Sequence, residues 1–355
     1  MTFTTPVFLV LLQWVSLLGP GPAAEAVSAS TAEDPPPNIV LMIGDGMGVS
    51  QLSSRLYYGP REEAEFTRFP YVGLVRTRSS SHKITDSAAG ATAFSCGVKT
   101  FNGAIGVDPD STSLENILET LAARGYASGV ISTSSITHAT PASFYAHVDD
   151  RDKEFSIAEQ LLSSPVDFFA GGGKRYFFQR PDERNLYPQF AEVGIQEDAM
   201  PTMQEGRGDF LVQATQMALD YLEQTGKPYF LMVEGSQVDW GGHANDGDYL
   251  VTEMQDFDKT MGAVLDRVGT DESTLVLATA DHECGGFTMA STEVEVPFQG
   301  KQRDYDSLRL AFSTGGHSSA MVPILASGKG QEHFTGIMQN TTIYHKMREV
   351  LQISR

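Results

Sequence analysis

The chain has 355 residues, with 45 Asp and Glu against 25 Lys and Arg, for a formal net charge of −20. That balance excludes the basic footprint nucleic acid requires. The length, with no internal repeat and no Pro/Ser linker after residue 37, predicts one large domain with insertions.

Residues 1–26 read as an export signal, with an apolar stretch from Val7 to Leu18 and Ala24-Glu25-Ala26 as a small-x-small cleavage site. The apolar run is shorter than the ~20 residues that span a bilayer, so no membrane attachment is expected after cleavage. Residues 27–37, a Ser/Ala/Glu/Asp/Pro stretch, read as a disordered lead-in, and 38–355 as a single domain. Export permits disulfides, but two cysteines make no framework. Cys96 and Cys284 are expected as small buried thiols.

Asn38–Ile43 is an apolar run that ends just before Asp45, which stands between glycines in Gly44-Asp45-Gly46-Met47-Gly48. The spacing is not the G-x-G-x-x-G of a dinucleotide fold. A carboxylate placed deep against an ion, with room for backbone to approach, is the better reading. Thr85–Phe94 is a run of small residues that predicts a helix entered at Ser87, with Asp86 or Ser87 as its cap. Ser128–Thr133 is a second apolar run, leading into a loop with His138 and Thr140. Gly171-Gly172-Gly173-Lys174 lacks the first glycine and the hydroxyl residue of a phosphate loop and reads as a turn.

Helical spacing covers residues 208–224 and 247–267. Between them Tyr229–Val233 delivers Glu234 and then Asp239 and His243, four apart in a strand end and loop whose flanking glycines let the backbone bend. Thr274–Ala280 delivers Asp281 and His282. The long, polar, poorly periodic segment from 283 to 312 is expected as a loop-rich insertion over the site, and His317 follows it behind a glycine pair. Short apolar runs alternating with helical stretches predict an α/β fold with a large central, mostly parallel sheet between helices. Such sheets place ligands beyond the carboxyl ends of their strands, so these residues should converge.

Three histidines among carboxylates suit zinc. His82, His147, His333 and His345 lack that setting and read as structural or surface residues. Serine needs a base or a metal to become a nucleophile. Asp86-Ser87-Ala88 is not the G-x-S-x-G elbow of a Ser-His-Asp hydrolase, which leaves metal activation.

The motifs I-G-D-G-M-G at 43–48, T-D-S-A-A-G-A-T-A at 85–93, H-A-T-P-A at 138–142, A-H-V-D-D-R at 146–151, V-E-G-S-Q-V-D-W-G-G-H at 233–243, T-A-D-H at 279–282 and G-G-H at 315–317 together resemble the alkaline phosphatase family, in its order. The compact secreted bacterial type is the nearest in character. The resemblance implies one zinc on Asp239, His243 and His317, a second on Asp45, Asp281 and His282 with Ser87 as a further ligand, and a magnesium on Asp45, Thr140 and Glu234. It also implies that Ser87 attacks a phosphate monoester and becomes phosphoserine, that Arg151 grips two phosphate oxygens, and that Asp86 orients Arg151. Family members vary at two positions. A histidine at 138 would let the third site take zinc, and Trp240 stands at the phosphate site where many members carry Lys or His. Small phosphate monoesters as substrates, a secreted or periplasmic location and a homodimer partly built by the insertion follow from the same resemblance.

Rival readings are a phosphodiesterase of the same superfamily and a secreted metal- or phosphate-binding protein without turnover. A sulfatase needs C-x-P-x-R, which Cys96-Gly97-Val98-Lys99-Thr100 does not match. Arg151 favours a monoester, and Ser87 at a helix start favours an enzyme.

Overall fold

The computed structural model describes residues 36–59, 64–186, 198–268 and 273–353. The export signal and nearly all of the lead-in lie outside the described residues. In chain order the strands are β1 (Asn38–Gly44), β2 (Tyr71–Arg76), β3 (Ala127–Ser135), β4 (Phe168–Gly172), β5 (Tyr229–Gly235), β6 (Thr274–Thr279), β7 (Glu283–Cys284), β8 (Thr288–Val296), β9 (Gly300–Ala311), β10 (His317–Ser318), β11 (Val322–Gly328) and β12 (Gly336–Gln339). The helices are α1 (Val49–Ser54), α2 (Ser87–Cys96), α3 (Ile117–Ala122), α4 (Ala139–Ala142), α5 (Glu154–Ser163), α6 (Lys174–Phe178), α7 (Phe210–Gln224), α8 (Gln237–Ala244), α9 (Gly247–Val268) and α10 (Asn340–Val350).

Eight strands form the main sheet in the order β12-β2-β11-β6-β1-β5-β3-β4. Every neighbouring pair is parallel except those involving β11, which runs against both β6 and β2. β1, β5 and β6 are buried along nearly their whole length, which explains why their sequences read as continuous apolar runs rather than alternating ones. The α7 and α9 helices each bury one apolar face, through Leu211, Ala218 and Leu222 in the first and Met254, Phe257 and Met261 in the second.

Register aligns the strand ends. Ile43 of β1 stands beside Glu234 of β5 and Thr279 of β6. The residues just beyond, Asp45 and Asp281, therefore emerge at one level of one edge, with Glu234 at the end of β5.

Three expectations need correction. The 283–312 segment is not loop-rich. It is mostly an antiparallel ribbon of β8 and β9, and most of the ribbon is solvent-exposed. No residue of either strand is fully buried, and the apolar alternation in Glu293-Val294-Glu295-Val296 and Leu308-Arg309-Leu310 is too short to stand out. Residues 237–244 are helix α8 rather than loop, despite two glycines that disfavour a helix. The glycines serve close packing instead of bending. A Cβ on Gly241 would stand 2.7 Å from the Leu250 backbone, and one on Gly242 would stand 2.9 Å from Cys284 Cβ. Gly171 and Gly172 likewise close β4, leaving only Gly173 to turn into α6.

Candidate active site

Helix α8 puts Asp239 and His243 four apart on one face, where i and i+4 side chains meet. β10 brings His317 to them. His243 Nε2 lies 3.1 Å from His317 Nε2 and 3.4 Å from Asp239 Oδ2, and His317 Nε2 lies 3.5 Å from Asp239 Oδ1. Each imidazole is oriented from behind. Nδ1 of His243 faces the Gly315 carbonyl at 2.8 Å, and Nδ1 of His317 faces the Thr85 carbonyl at 2.9 Å. A ring nitrogen facing a carbonyl carries the proton, so in the neutral form of each ring Nε2 presents a lone pair to the same point. Two lone pairs and a carboxylate so close together repel unless a cation lies among them. Donors about 2.0–2.1 Å from a tetrahedral zinc stand roughly 3.3–3.4 Å apart, close to the spacings observed.

A second group of the same shape adjoins it. His282 Nε2 lies 3.4 Å from Asp45 Oδ1, 3.3 Å from Asp281 Oδ2 and 3.2 Å from Ser87 Oγ. Ser87 opens α2, whose cap is Asp86. The α2 helix can reach this depth because its first turns are bare: a Cβ on Gly90 would stand 3.0 Å from Asp281 Cβ. Gly46, with φ +72°, admits the Asp239 backbone, since a Cβ there would lie 2.7 Å from Asp239 Cα. The backbone approach expected around Asp45 is thus by α8.

Asp45, His138 and Glu234 form a third group, with Thr140 on α4 beside it and Trp240 set edge-on to His138 at 6.2 Å between ring centroids. Ser132 Oγ donates to Glu234 Oε2 at 2.6 Å. Sequence reasoning missed this hydroxyl, although Ser132-Thr133-Ser134-Ser135 at a strand end was a visible signal.

The buried polar atoms without a hydrogen-bond partner include both Asp45 oxygens, Glu234 Oε1, Asp239 Oδ1, Asp281 Oδ2, Thr140 Oγ1, His138 Nδ1 and His282 Nδ1. Buried carboxylates are normally paired or bound to metal. Here burial, followed by the neighbouring carboxylates Asp281, Asp239 and Glu234, pushes Asp45 well above the carboxylate range. Burial likewise raises Glu234 to about 7 and, with the charge of Asp239, Asp281 to about 6. Burial, and then the Arg151 charge, lowers His138 to about 3. Burial also holds His282 well below its usual value, so both rings stay neutral and able to donate a lone pair to a cation.

Arg151 stands at the rim, its side chain a quarter exposed. One guanidinium nitrogen donates to Asp86 Oδ2 at 3.1 Å, and the other faces His138 Nε2 at 3.1 Å. Asp86 Oδ2 also accepts from the Gly103 amide, while its other oxygen caps Ala89. One carboxylate therefore fixes both the α2 entry and the arginine. The Arg151–His138 contact had no sequence signature, because it joins the third group to the rim through side-chain geometry alone.

Residues 37–208 and 190–311 match the family model for alkaline phosphatase. The chain belongs to the alkaline phosphatase family. It is 31% identical to alkaline phosphatase 3 of Bacillus subtilis, over 89% of each chain. It is 43% identical to the alkaline phosphatase of the Antarctic bacterium TAB5, with a TM-score of 0.86 over 90% of this chain and 100% of that one. It is 27% identical to a cold-active alkaline phosphatase from a psychrophilic Shewanella, with a TM-score of 0.78 over 90% and 100%. The chain is accordingly a phosphatase enzyme of a metal-dependent family with phosphomonoesterase activity. A variant of the TAB5 enzyme, with a histidine replaced by aspartate, holds magnesium in its M3 site.

Proposed function

We propose that the chain is a secreted phosphomonoesterase that forms a phosphoserine on Ser87, with zinc in the His243 and His282 groups and magnesium or zinc in the His138 group. The observation that carries this reading is Ser87 Oγ at the start of α2, 3.2 Å from His282 Nε2 and backed by unpartnered buried carboxylates. Asp239, His243 and His317 would hold one ion and Asp45, Asp281 and His282 another, and ions held there would supply positive charge that favours ionisation of the Ser87 hydroxyl and offsets the charge of the phosphoryl group.

The chain's own groups do the rest. The free amides at the α2 amino terminus and its dipole favour an anion. Arg151, steadied by Asp86, offers a planar fork to two phosphate oxygens. Trp240 fills space beside His138 and brings no charge of its own.

The test is hydrolysis of an aryl phosphate monoester and the matching aryl diester at alkaline pH, with zinc and magnesium present. A kcat/KM that favours the monoester is expected. Equal or reversed preference would replace this reading with that of a phosphodiesterase. Arg151→Lys keeps the charge but loses the fork. It should lower monoester kcat/KM by about ten- to a hundredfold, the worth of one or two charge-assisted hydrogen bonds, while diester hydrolysis changes less. An unaltered monoester rate would remove Arg151 from the site.

A further inference from the structure

Cys284 was expected only as a buried thiol. It is fully buried and unbonded, but its place is not that of a packing residue. Asp239, His243, Cys284 and His317 each offer a donor atom within 4.8 Å of the others. The position is held from all sides. Cys284 pairs with His317 in the β7–β10 register, its amide donates to the Gly46 carbonyl at 3.1 Å, and its carbonyl accepts from Gln51 Nε2 at 2.7 Å. On α8, Gly242 has no side chain where one would press within 3.0 Å of Cys284 Sγ. The backbone around the thiol is thus fixed, with Sγ within 4.8 Å of a carboxylate oxygen of Asp239.

Asp239 is a residue that needs such a neighbour. Its Oδ1, in a residue only 4% exposed, lacks a hydrogen-bond partner among the described residues. On the Gly46 side no side chain exists to supply a donor. Carboxylates that hold metals are themselves usually hydrogen-bonded, and those outer partners set their orientation. Of the four clustered residues, the two histidines point their lone pairs at the same centre as Asp239. Only the thiol has a proton to give.

We infer that Cys284 is a positioning residue for Asp239: its S–H donates to the carboxylate and turns it toward the ion that His243 and His317 share. The inference rests on the metal reading proposed above. A permanent sulfur ligand is the rival, and it would close the position that catalytic zinc sites keep open.

The experiment compares full-length wild type, Cys284→Ser and Cys284→Ala by zinc competition with a chelator, by the thermal midpoint of the metal-free proteins, and by the spectrum after cobalt substitution. Serine keeps a donor of nearly the same size and alanine does not. The expected result is a ten- to hundredfold weaker affinity in Cys284→Ala, confined to one zinc equivalent, with near wild-type affinity in Cys284→Ser and similar metal-free midpoints for all three. Wild-type zinc affinity in Cys284→Ala would overturn the inference. So would equal loss in both variants together with a sulfur-to-cobalt charge-transfer band in the wild type, which would make Cys284 a direct ligand. A lowered metal-free midpoint in Cys284→Ala with unchanged zinc affinity would reduce the thiol to packing, and the inference would fail. Failure of the metal reading itself would look different, since the wild type would then take up no zinc.

Discussion

Replacing Ser87 with alanine should lower kcat/KM for an aryl phosphate monoester by several orders of magnitude while leaving the fold and the zinc content nearly intact. Ser87 is 2% exposed, and its neighbours in α2 are Ala88 and Ala89, so an alanine fits the same helix without a void. The cap that starts α2 belongs to Asp86 and survives the change. What disappears is the hydroxyl that lies 3.2 Å from His282 Nε2. Of that group, Asp45, Asp281 and His282 remain, enough to keep an ion. Each tenfold loss of rate corresponds to about 1.4 kcal/mol of lost transition-state stabilisation. Nucleophile deletions are not additive with loss of the groups that serve the nucleophile, so combining Ser87→Ala with Arg151→Lys should cost little more than Ser87→Ala alone. Trapping of phosphate on the wild type after acid quench, absent from the variant, distinguishes a serine intermediate from direct attack by water. A variant as fast as the wild type would end the phosphoserine mechanism.

The sheet and the position of Ser87 were legible because their signals are local. β1, β5 and β6 are buried on both faces, so their apolar runs stand out, and the small residues after Asp86 have few uses other than a tightly packed helix. The histidine clusters were legible only as a sum, since Asp239, His243, Asp281, His282 and His317 each follow a strand or a glycine pair and none is decisive alone. The α8 helix was misread because Gly241 and Gly242 lower helix propensity, and tertiary packing against Leu250 and Cys284 overrides that preference. The β8–β9 ribbon was misread for a different reason: none of its residues is fully buried, and its apolar alternation is confined to short stretches. The Arg151–His138 contact, the Ser132–Glu234 bond and the seat of Cys284 join residues that are distant in sequence. Only the folded geometry carries them.

Stripping the metals with a chelator should destabilise the protein strongly, and the loss should grow from pH 6.5 to pH 8. Four carboxylates, Asp45, Glu234, Asp239 and Asp281, converge at nearly complete burial. Without a cation their ionised forms are uncompensated. The native values of Asp45, Glu234 and Asp281 are raised, to about 7 for Glu234 and about 6 for Asp281, from 4.5 and 3.8. A group with a raised native value favours the fold at low pH, and that contribution is lost as pH rises through the native value. The metal-free protein therefore weakens across this interval as Glu234, whose native value of about 7 lies inside it, is forced to ionise. Below pH 6.5 the opposing effect enters, because His138 and His282 are held neutral in the fold while the unfolded chain can protonate them. The interval from 6.5 to 8 isolates the carboxylates. Ions restore what the carboxylates lose, and an ion present at a thousandfold excess over its Kd contributes about 4 kcal/mol. The gap in thermal midpoint between the zinc-loaded and the metal-free protein should thus be wide at pH 8 and narrower at pH 6.5. A gap independent of pH would mean that bound ions do not offset the charge of these carboxylates, and no gap at all would mean that they hold none.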